Sequence, residues 1–339
     1  MGRDEPRPLR IGARTSPLAR AQAEQVAGLL AARGVSSTFV GVTTAGDVDR
    51  RQLTVIGGTG VFVGAVREAL FDGTIDVAVH SLKDLPTTPA VGLEMAAVPA
   101  REDVRDVLIG CRLGELTDGM TIGTGAPRRA LQLEDYAERH QLDLKIMPIR
   151  GNVDTRLGLV RSGQLDAVVL AAAGLRRLGH LGGDGVGAED NGTEVEVTDL
   201  PAELLSAELM LPAPGQGALG LETRADLPAH LAAAVRALDD PTARAETQVE
   251  RAFLAALEAG CTAPVGARAV VKSVRGTSLD LTLRAVIGKT LLSNLSGPTS
   301  SGPPLRVERH GSTSDPALFG ANAAGYVLSE LHATTRSRC

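Results

Sequence analysis

The sequence predicts an α/β protein with two similar lobes and a small α+β C-terminal domain. Three observations carry this. Short apolar strands alternate with amphipathic helices through the first half of the chain, a pattern that builds helix-covered sheets. The alternation occurs in two blocks of similar design. The C-terminal segment then changes character, with a long hairpin-like pair of apolar runs between two helices. With 339 residues there is room for two or three domains, and a hydrophobic fraction of 43% suffices for sizeable cores.

LRIGA (9–13) reads as a short strand. Ser16 and Pro17 are an N-cap and first-turn pair for a helix running to about Ala32. STFVGVTT (37–44) is a second strand. A glycine-rich loop, IGGTG (56–60), precedes the helix VFVGAVREALFDG (61–73) and the strand IDVAVHS (75–81). The second block begins at Thr121. TIGTGAPRRALQLEDYA (121–137) is strand, turn and helix. DLKIMPIR (143–150) is a strand, GNVDTRLGLVRSG (151–163) a helix and QLDAVVLAAAG (164–174) a strand. Two echoes mark an internal repeat: IGARTSPLARAQ (11–22) with IGTGAPRRALQ (122–132), and GTIDVAV (73–79) with GQLDAVV (163–169). Two such blocks predict a cleft between two lobes.

LGGDGVGAEDNGTEVE (181–196) reads as an exposed loop, and PAPGQGALGLE (212–222) as a turn into a strand that crosses back between lobes. TARAETQVERAFLAALEAG (242–260) is a helix with Val249, Phe253 and Leu257 on one face and Gly260 at its end. VGARAVVK and LDLTLRAVIG flank an RGTS turn as a hairpin. A Pro/Ser/Gly-rich loop (296–304), a strand at 305–309 and a helix at about 316–333 complete the chain.

Composition narrows the function. A net charge of −5 leaves no global basic footprint for nucleic acid. Aromatic residues are scarce, with no Trp, two Tyr and five Phe, which argues against single-stranded nucleic-acid binding on aromatic stacking platforms. The N-terminus has no apolar signal-peptide core and no apolar stretch reaches membrane-spanning length, which predicts a cytoplasmic protein without membrane contact. Of three cysteines, Cys111, Cys261 and Cys339, none has metal-ligand spacing, so no metal site is expected.

The segment VAVHSLKDLP (77–86) is the strongest chemical signal. An alternating apolar run stops at His80 and Ser81, and Lys83 and Asp84 follow before Pro86. A buried strand thus delivers a cation and a carboxylate to a sheet edge, where α/β proteins bind ligands. An Asp that merely caps a turn is the plainer reading of Asp84 alone. The arginines shift the balance. Arg14, Arg128, Arg129, Arg150, Arg156, Arg176 and Arg177 fall at strand-to-helix junctions, where backbone N–H groups favour anions and guanidinium binds carboxylate or phosphate bidentately. Any one is an ordinary surface residue; the set points to a ligand with several negative charges. GTGAP (123–127) and GGTG (57–60) match neither a phosphate-loop nor a dinucleotide fingerprint. Cys261 follows a helix-ending glycine and stands in a turn, as a reactive or a merely tolerated thiol.

Together these segments resemble the hydroxymethylbilane synthase (porphobilinogen deaminase) family over residues 9–288. The motifs are ARTSPLA (13–19), GGTGVFV (57–63), DVAVHSLKDLP (76–86), REDVRDVL (101–108), GTGAPRR (123–129), RGNVDTR (150–156), AAGLRRLG (172–179), LPAPGQGALGLE (211–222) and EAGCTAPVGA (258–267), in the family's order. The resemblance implies two lobes like type II periplasmic binding proteins: domain 1 at 8–100 plus 212–235 and domain 2 at 101–211. It puts an α+β domain 3 at 240–339. It also implies a covalent dipyrromethane cofactor joined by a thioether to Cys261. The implied reaction joins four porphobilinogens head to tail with loss of ammonia, and hydrolysis releases linear hydroxymethylbilane. The resemblance further implies a monomer that hands its product to uroporphyrinogen-III synthase.

By that resemblance Asp84 is the main catalytic group, serving the departure of ammonia, the transient cation and the α-proton. Arg128, Arg129, Arg150, Arg156 and Arg177 hold carboxylates of cofactor and substrate, Arg14 and Ser16 face the reacting ring, and Ser81 and Lys83 contact the cofactor. Thr124 and Gln216 complete the binding set. The chain departs from the family at Thr59, where relatives carry lysine, and at Gly125 and Ala126, where relatives carry hydroxyl residues; backbone N–H groups are expected to stand in there. A non-catalytic two-lobed anion-binding protein is the alternative, and it would need neither Cys261 nor the third domain. A transcriptional effector domain is disfavoured because no N-terminal DNA-binding helix pair is present.

Overall fold

The structure is a computed structural model that describes residues 7–43, 60–182, 193–260, 263–288, 291 and 303–336. Its elements run β1 (Leu9–Arg14), α1 (Pro17–Ala31), β2 (Ser37–Val42), α2 (Gly60–Phe71), β3 (Val77–Ser81), β4 (Leu93–Ala97), β5 (Asp106–Ile109), β6 (Thr121–Thr124), α3 (Pro127–His140), β7 (Lys145–Pro148), α4 (Val153–Arg161), β8 (Ala167–Ala171) and α5 (Ala172–Arg177). They continue with β9 (Thr193–Val197), β10 (Leu200–Leu204), β11 (Leu219–Arg224), α6 (Ala229–Arg236), α7 (Pro241–Ala256), β12 (Val265–Arg275), β13 (Ser278–Ile287), β14 (Leu305–Thr313) and α8 (Pro316–Arg336). The chain divides into two compact units, Met1–Arg101 with Ala218–Arg244, and Glu102–Gly217 with Ala245–Cys339.

In the first unit the strand order is β2-β1-β3-β11-β4. β1 runs parallel to β2 and β3, and β11 is antiparallel to both β3 and β4. The alternation of side chains along a strand decides what each face meets. Leu9, Ile11, Ala13, Val77, Val79, Leu219 and Leu221 face α1 and α6. Ala78 turns the other way, into a smaller cluster with Val66 and Leu70 of α2. Ser16 caps α1 by accepting from the Ala19 N–H, as its position before Pro17 predicts.

The second unit holds a six-stranded sheet, β7-β6-β8-β5-β10-β9. β6 is parallel to β7 and β8, and β5 is antiparallel to β8. Its centre repeats that of the first sheet: three parallel strands and then an antiparallel one. The two sequence echoes fall on equivalent places, β1–α1 with β6–α3 and β3 with β8. Their hydrogen bonds repeat too. The Asp76 N–H donates to the Arg10 carbonyl (2.8 Å) while its carboxylate accepts from the Arg10 N–H (2.9 Å). The Asp166 N–H donates to the Thr121 carbonyl (3.1 Å) while its carboxylate accepts from the Thr121 N–H (2.7 Å). An aspartate clasping the neighbouring strand from just ahead of its own strand is the physical content of the repeat.

The C-terminal part of the second unit is an antiparallel sheet, β12-β13-β14, packed on α7 and α8. Val249, Phe253 and Leu257 are fully buried there, as their spacing predicts. Gly320 lets α8 approach α7 closely, since a Cβ there would stand 2.2 Å from the Val249 carbonyl oxygen. Buried Glu250 accepts from the N–H groups of Gly215 (2.7 Å) and Ala269 (2.9 Å), which ties α7 to both the 212–217 turn and β12.

Several sequence readings need correction. Helix α7 ends at Ala256 rather than Gly260, and Glu258, not the glycine, takes the left-handed conformation at φ 52°. The strand predicted at 164–174 stops at Ala171, and Ala172–Arg177 is helical. Residues 181–196 are not all loop: Leu181 is buried and bridges Val197, and Thr193–Val197 is a strand paired with β10. β14 runs on to Thr313, beyond the expected 309. Cys261, Thr59, Cys339, most of the 56–60 loop and residues 296–302 lie outside the described residues.

Candidate active site

In the first unit, β3 ends at Ser81 and passes into a 3₁₀ turn, Leu82–Asp84. Residues three apart share a face of such a turn. Leu82 and Leu85 are both buried, in a cluster with Val63, Val98, Ala218 and Ala243. Their burial turns Lys83 and Asp84 outward: Lys83 is half-buried and Asp84 exposed. The Leu82 N–H donates to the Ala218 carbonyl (3.0 Å), so the returning strand helps hold the turn. Gly220 makes room for Leu82, whose Cδ1 would lie 2.9 Å from a Cβ at that position. Arg14 closes β1, and Ser16 is committed to capping α1. The Ser81 hydroxyl accepts from the Gln22 side chain (2.7 Å), which docks α1 on the end of β3.

His80 is buried and not part of any nucleophile pair among the described residues. Its Nε2 lies 3.1 Å from Glu222 Oε2. Arg67 donates to both oxygens of the same carboxylate, at 2.9 and 2.7 Å. Burial alone would raise the Glu222 carboxyl, but His80 and Arg67 outweigh it and hold it down at about 2.

The second unit carries the arginines. β6 ends at Thr124, and α3 begins at Pro127 with Ala126 as a cap that has no side-chain acceptor. The Ala126 N–H donates to the Thr124 hydroxyl (3.2 Å). Gly125 is needed for space: a Cβ there would stand 2.8 Å from the Ile149 carbonyl and 3.5 Å from Arg156 Nη2.

Arg128 and Arg129 stand in the first turn of α3, the wrong end of the helix dipole for cations. Asp106, the first residue of β5, compensates. It accepts from Arg128 Nη1 (2.6 Å) and Nη2 (3.2 Å) and from Arg129 Nη2 (2.7 Å). Gln216 Nε2 adds a fourth bond at 2.8 Å. Burial would raise the Asp106 carboxyl; the two guanidinium groups overcome it and hold it well below the usual carboxylate range. Arg128 also donates to the Leu211 carbonyl (2.9 Å) and Gln216 Oε1 (2.9 Å), and Gln216 to the Val104 carbonyl (2.7 Å). Arg128 and Gln216, expected to touch ligand, are buried and hydrogen-bond one another and Asp106.

Arg129 differs. Its Nη1 donates to the Val169 carbonyl (2.9 Å) and its Nη2 to Asp106, while its buried Nε has no acceptor. The buried Nε of Arg156, on α4, likewise has none. Burial, and then the charge of Arg129, lower the pKa of Arg156. Arg177, on α5, donates to the Gly217 carbonyl (2.7 Å), and burial lowers it to about 10 against the opposing pull of Glu102. Arg150 is exposed, just ahead of the turn in which Asn152 caps α4. No cluster of three or more potential metal-ligating side chains occurs among the described residues.

Asp106 is the residue that sequence reasoning passed over. Its signal was present: a charged residue opening the wholly buried strand DVLI within the motif REDVRDVL. What spacing could not show is that it meets arginines 22 and 23 residues further on.

A family model described as "Porphobilinogen deaminase, dipyromethane cofactor binding domain" matches residues 9–231, and "Porphobilinogen deaminase, C-terminal domain" matches residues 245–293. Porphobilinogen deaminase 1 of Streptomyces coelicolor is 51% identical over 299 residues, covering 87% of this chain and 88% of its own. Porphobilinogen deaminase of Cutibacterium acnes is 43% identical over 338 residues, covering 95% of this chain and 93% of its own. Among solved structures, a periplasmic substrate-binding protein of an ABC transporter from Coxiella burnetii is 14% identical. It covers 70% of this chain and 94% of its own at a TM-score of 0.38, too distant a likeness to build on.

Proposed function

The chain belongs to the porphobilinogen deaminase family, and from that premise we propose how its own residues perform the reaction. The enzyme is a transferase of tetrapyrrole biosynthesis. It condenses porphobilinogens head to tail on a dipyrromethane primer and releases linear hydroxymethylbilane. The dipyrromethane supplies the nucleophilic pyrrole position on which the chain is built.

The chemistry of the residues fits such a group. Each pyrrole carries an acetate and a propionate, so the ligand needs cationic donors that the protein has not already consumed. The buried Nε groups of Arg129 and Arg156, which meet no acceptor, are the observation that carries this reading. We assign Arg129, Arg156, Arg177 and Arg150 to ligand carboxylates. Arg14, Ser16, Ser81 and Lys83 serve the ring side and Thr124 the turn. Arg128 and Gln216 act from the interior. Cys261 is the attachment point, through a thioether.

Asp84 is the catalytic carboxylate. Exposed beside Lys83 on a turn pinned by Leu82 and Leu85, it is placed to hydrogen-bond pyrrole N–H groups and to assist departure of ammonia. It also balances the cation that substrate becomes on losing ammonia, and takes the α-proton after coupling. A ligand whose own charges are negative leaves this one carboxylate free for positive charge. We further propose three functional domains, at 8–100 with 212–235, at 101–211 and at 240–339. On this reading a cytoplasmic monomer passes its product to a uroporphyrinogen-III synthase. No helix among the described residues is long and apolar enough to cross a membrane.

Intact mass tests the assignment. The purified chain should exceed its sequence mass by two pyrrole units and consume porphobilinogen, and Cys261→Ser should remove the excess. A chain of unmodified mass with no porphobilinogen consumption would favour the anion-binding alternative.

A further inference from the structure

Arg129 is held on two sides and open on the third. Its Nη1 is fixed by the Val169 carbonyl and its Nη2 by Asp106. Val169 and Asp106 lie on adjacent strands, since Asp106 pairs with Ala171 of β8. Two anchors on one rigid ladder fix both the place and the rotation of the guanidinium plane. The Nε edge is left buried and without an acceptor. A buried donor in that state is costly and persists where something else supplies the acceptor.

Charge points the same way. Asp106 is the carboxylate that Arg128 and Arg129 share, so the three together carry one positive charge in excess. Arg156 adds to it, close enough to feel the charge of Arg129. Both oxygens of Asp106 are engaged within the protein: Oδ1 accepts from Arg128, Arg129 and Gln216, and Oδ2 from Arg128. It is also fully buried.

We propose that Asp106 is a positioning residue for the reaction: it aims the Nε edge of Arg129 at a ligand carboxylate and neutralises only part of the arginine charge, so that the ligand supplies the rest. This rests on the carboxylate-binding role assigned to Arg129 above. The carboxylate belongs either to the dipyrromethane or to incoming porphobilinogen, and the two sources are separable.

The test uses the full-length holoenzyme carrying Asp106→Glu, which keeps the charge and moves the carboxylate by one methylene. Intact mass, KM and kcat for porphobilinogen and thermal unfolding are measured together. Loss of the cofactor mass from most chains identifies the cofactor as the source. Retention of that mass with KM raised tenfold or more, by a larger factor than kcat falls, identifies the substrate. Either result supports the proposal, because a purely structural Asp106 would lower the unfolding temperature and leave both readings in place. A folded variant with full cofactor mass and KM within twofold of the parent overturns it. Should Asp106→Glu fail to fold, Asp106→Asn with Arg128→Met removes one charge of each sign and takes the same readings. Failure of both to fold assigns Asp106 to folding alone and also overturns the proposal. Arg129→Gln is run in parallel: if it leaves cofactor mass and KM unchanged, the role of Arg129 fails, separately from that of Asp106.

Discussion

Arg67 on α2 grips Glu222 on β11 with two parallel hydrogen bonds, of 2.9 and 2.7 Å, across 155 residues of sequence. The pair fastens the strand that returns late in the chain to the early helix it lies against. The folded-state value of Glu222, about 2, is below its ordinary 4.5. Its ionised form therefore contributes stability above that ordinary value, worth about 3 kcal/mol at neutral pH, and the contribution is lost as pH falls toward about 2. Glu222→Gln should lower the unfolding temperature clearly at pH 7, and the gap to the parent should narrow at pH 3. A gap of equal size at both pH values would contradict this account.

Asp84→Asn removes the charge and keeps the shape. Asp84 is exposed, so folding should be untouched, and its turn is held by Leu82 and Leu85 rather than by the carboxylate. The variant should keep the cofactor mass and lose about a hundredfold or more in kcat, the usual scale for a proton-transferring group. Near-normal turnover would remove Asp84 from the mechanism.

Gly217 has φ +85°, and a Cβ there would stand 2.3 Å from the Glu102 carbonyl oxygen. Its own carbonyl accepts from Arg177. Gly217→Ala combines a left-handed backbone with a clash against main chain, at a cost of about 2 kcal/mol or more. Arg177 should be displaced as a result. We expect a lower unfolding temperature together with a raised KM for porphobilinogen; an unchanged KM in folded protein would mean that Arg177 tolerates loss of this anchor.

Cys111 is buried, and burial first, then Glu115, Asp166 and Glu203, push its thiol up to about 11. At pH 7 that leaves about one molecule in ten thousand as thiolate. Iodoacetamide should leave Cys111 unmodified in native protein and label it only after unfolding, as read by peptide mass spectrometry. Rapid labelling of Cys111 in the native state would show that the site opens.

What could be read from the sequence was local. Ser16 ahead of Pro17 marks the start of α1, and the spacing of Val249 and Phe253 marks the buried face of α7, with Leu257 buried just past its end. The run VAVHSLKDLP contains both the strand and the two leucines that turn Asp84 outward. Such signals survive in a linear chain because a helix or strand repeats every few residues, and burial of one face writes that period into the sequence. The ordered motifs likewise pointed to the family.

The boundaries were less legible. Glu258 takes the left-handed turn that Gly260 was expected to supply, and β9 forms inside an acidic stretch that reads as loop, because pairing with β10 outweighs its composition. Tertiary structure alone decided which arginine groups find an acceptor within the protein. Arg128 and Arg129 are neighbours of one residue type, yet Arg128 is consumed by Asp106, Leu211 and Gln216 while Arg129 keeps a buried free edge. Their partners come from β5, β8 and the 211–216 turn, brought together by sheet order. A carboxylate meets a guanidinium 22 residues away in one case, and 155 away in another, because strands are neighbours in space without being neighbours in sequence. Local sequence determined which charged groups reach the sheet edge; the fold determined which of them pair with one another there and which do not.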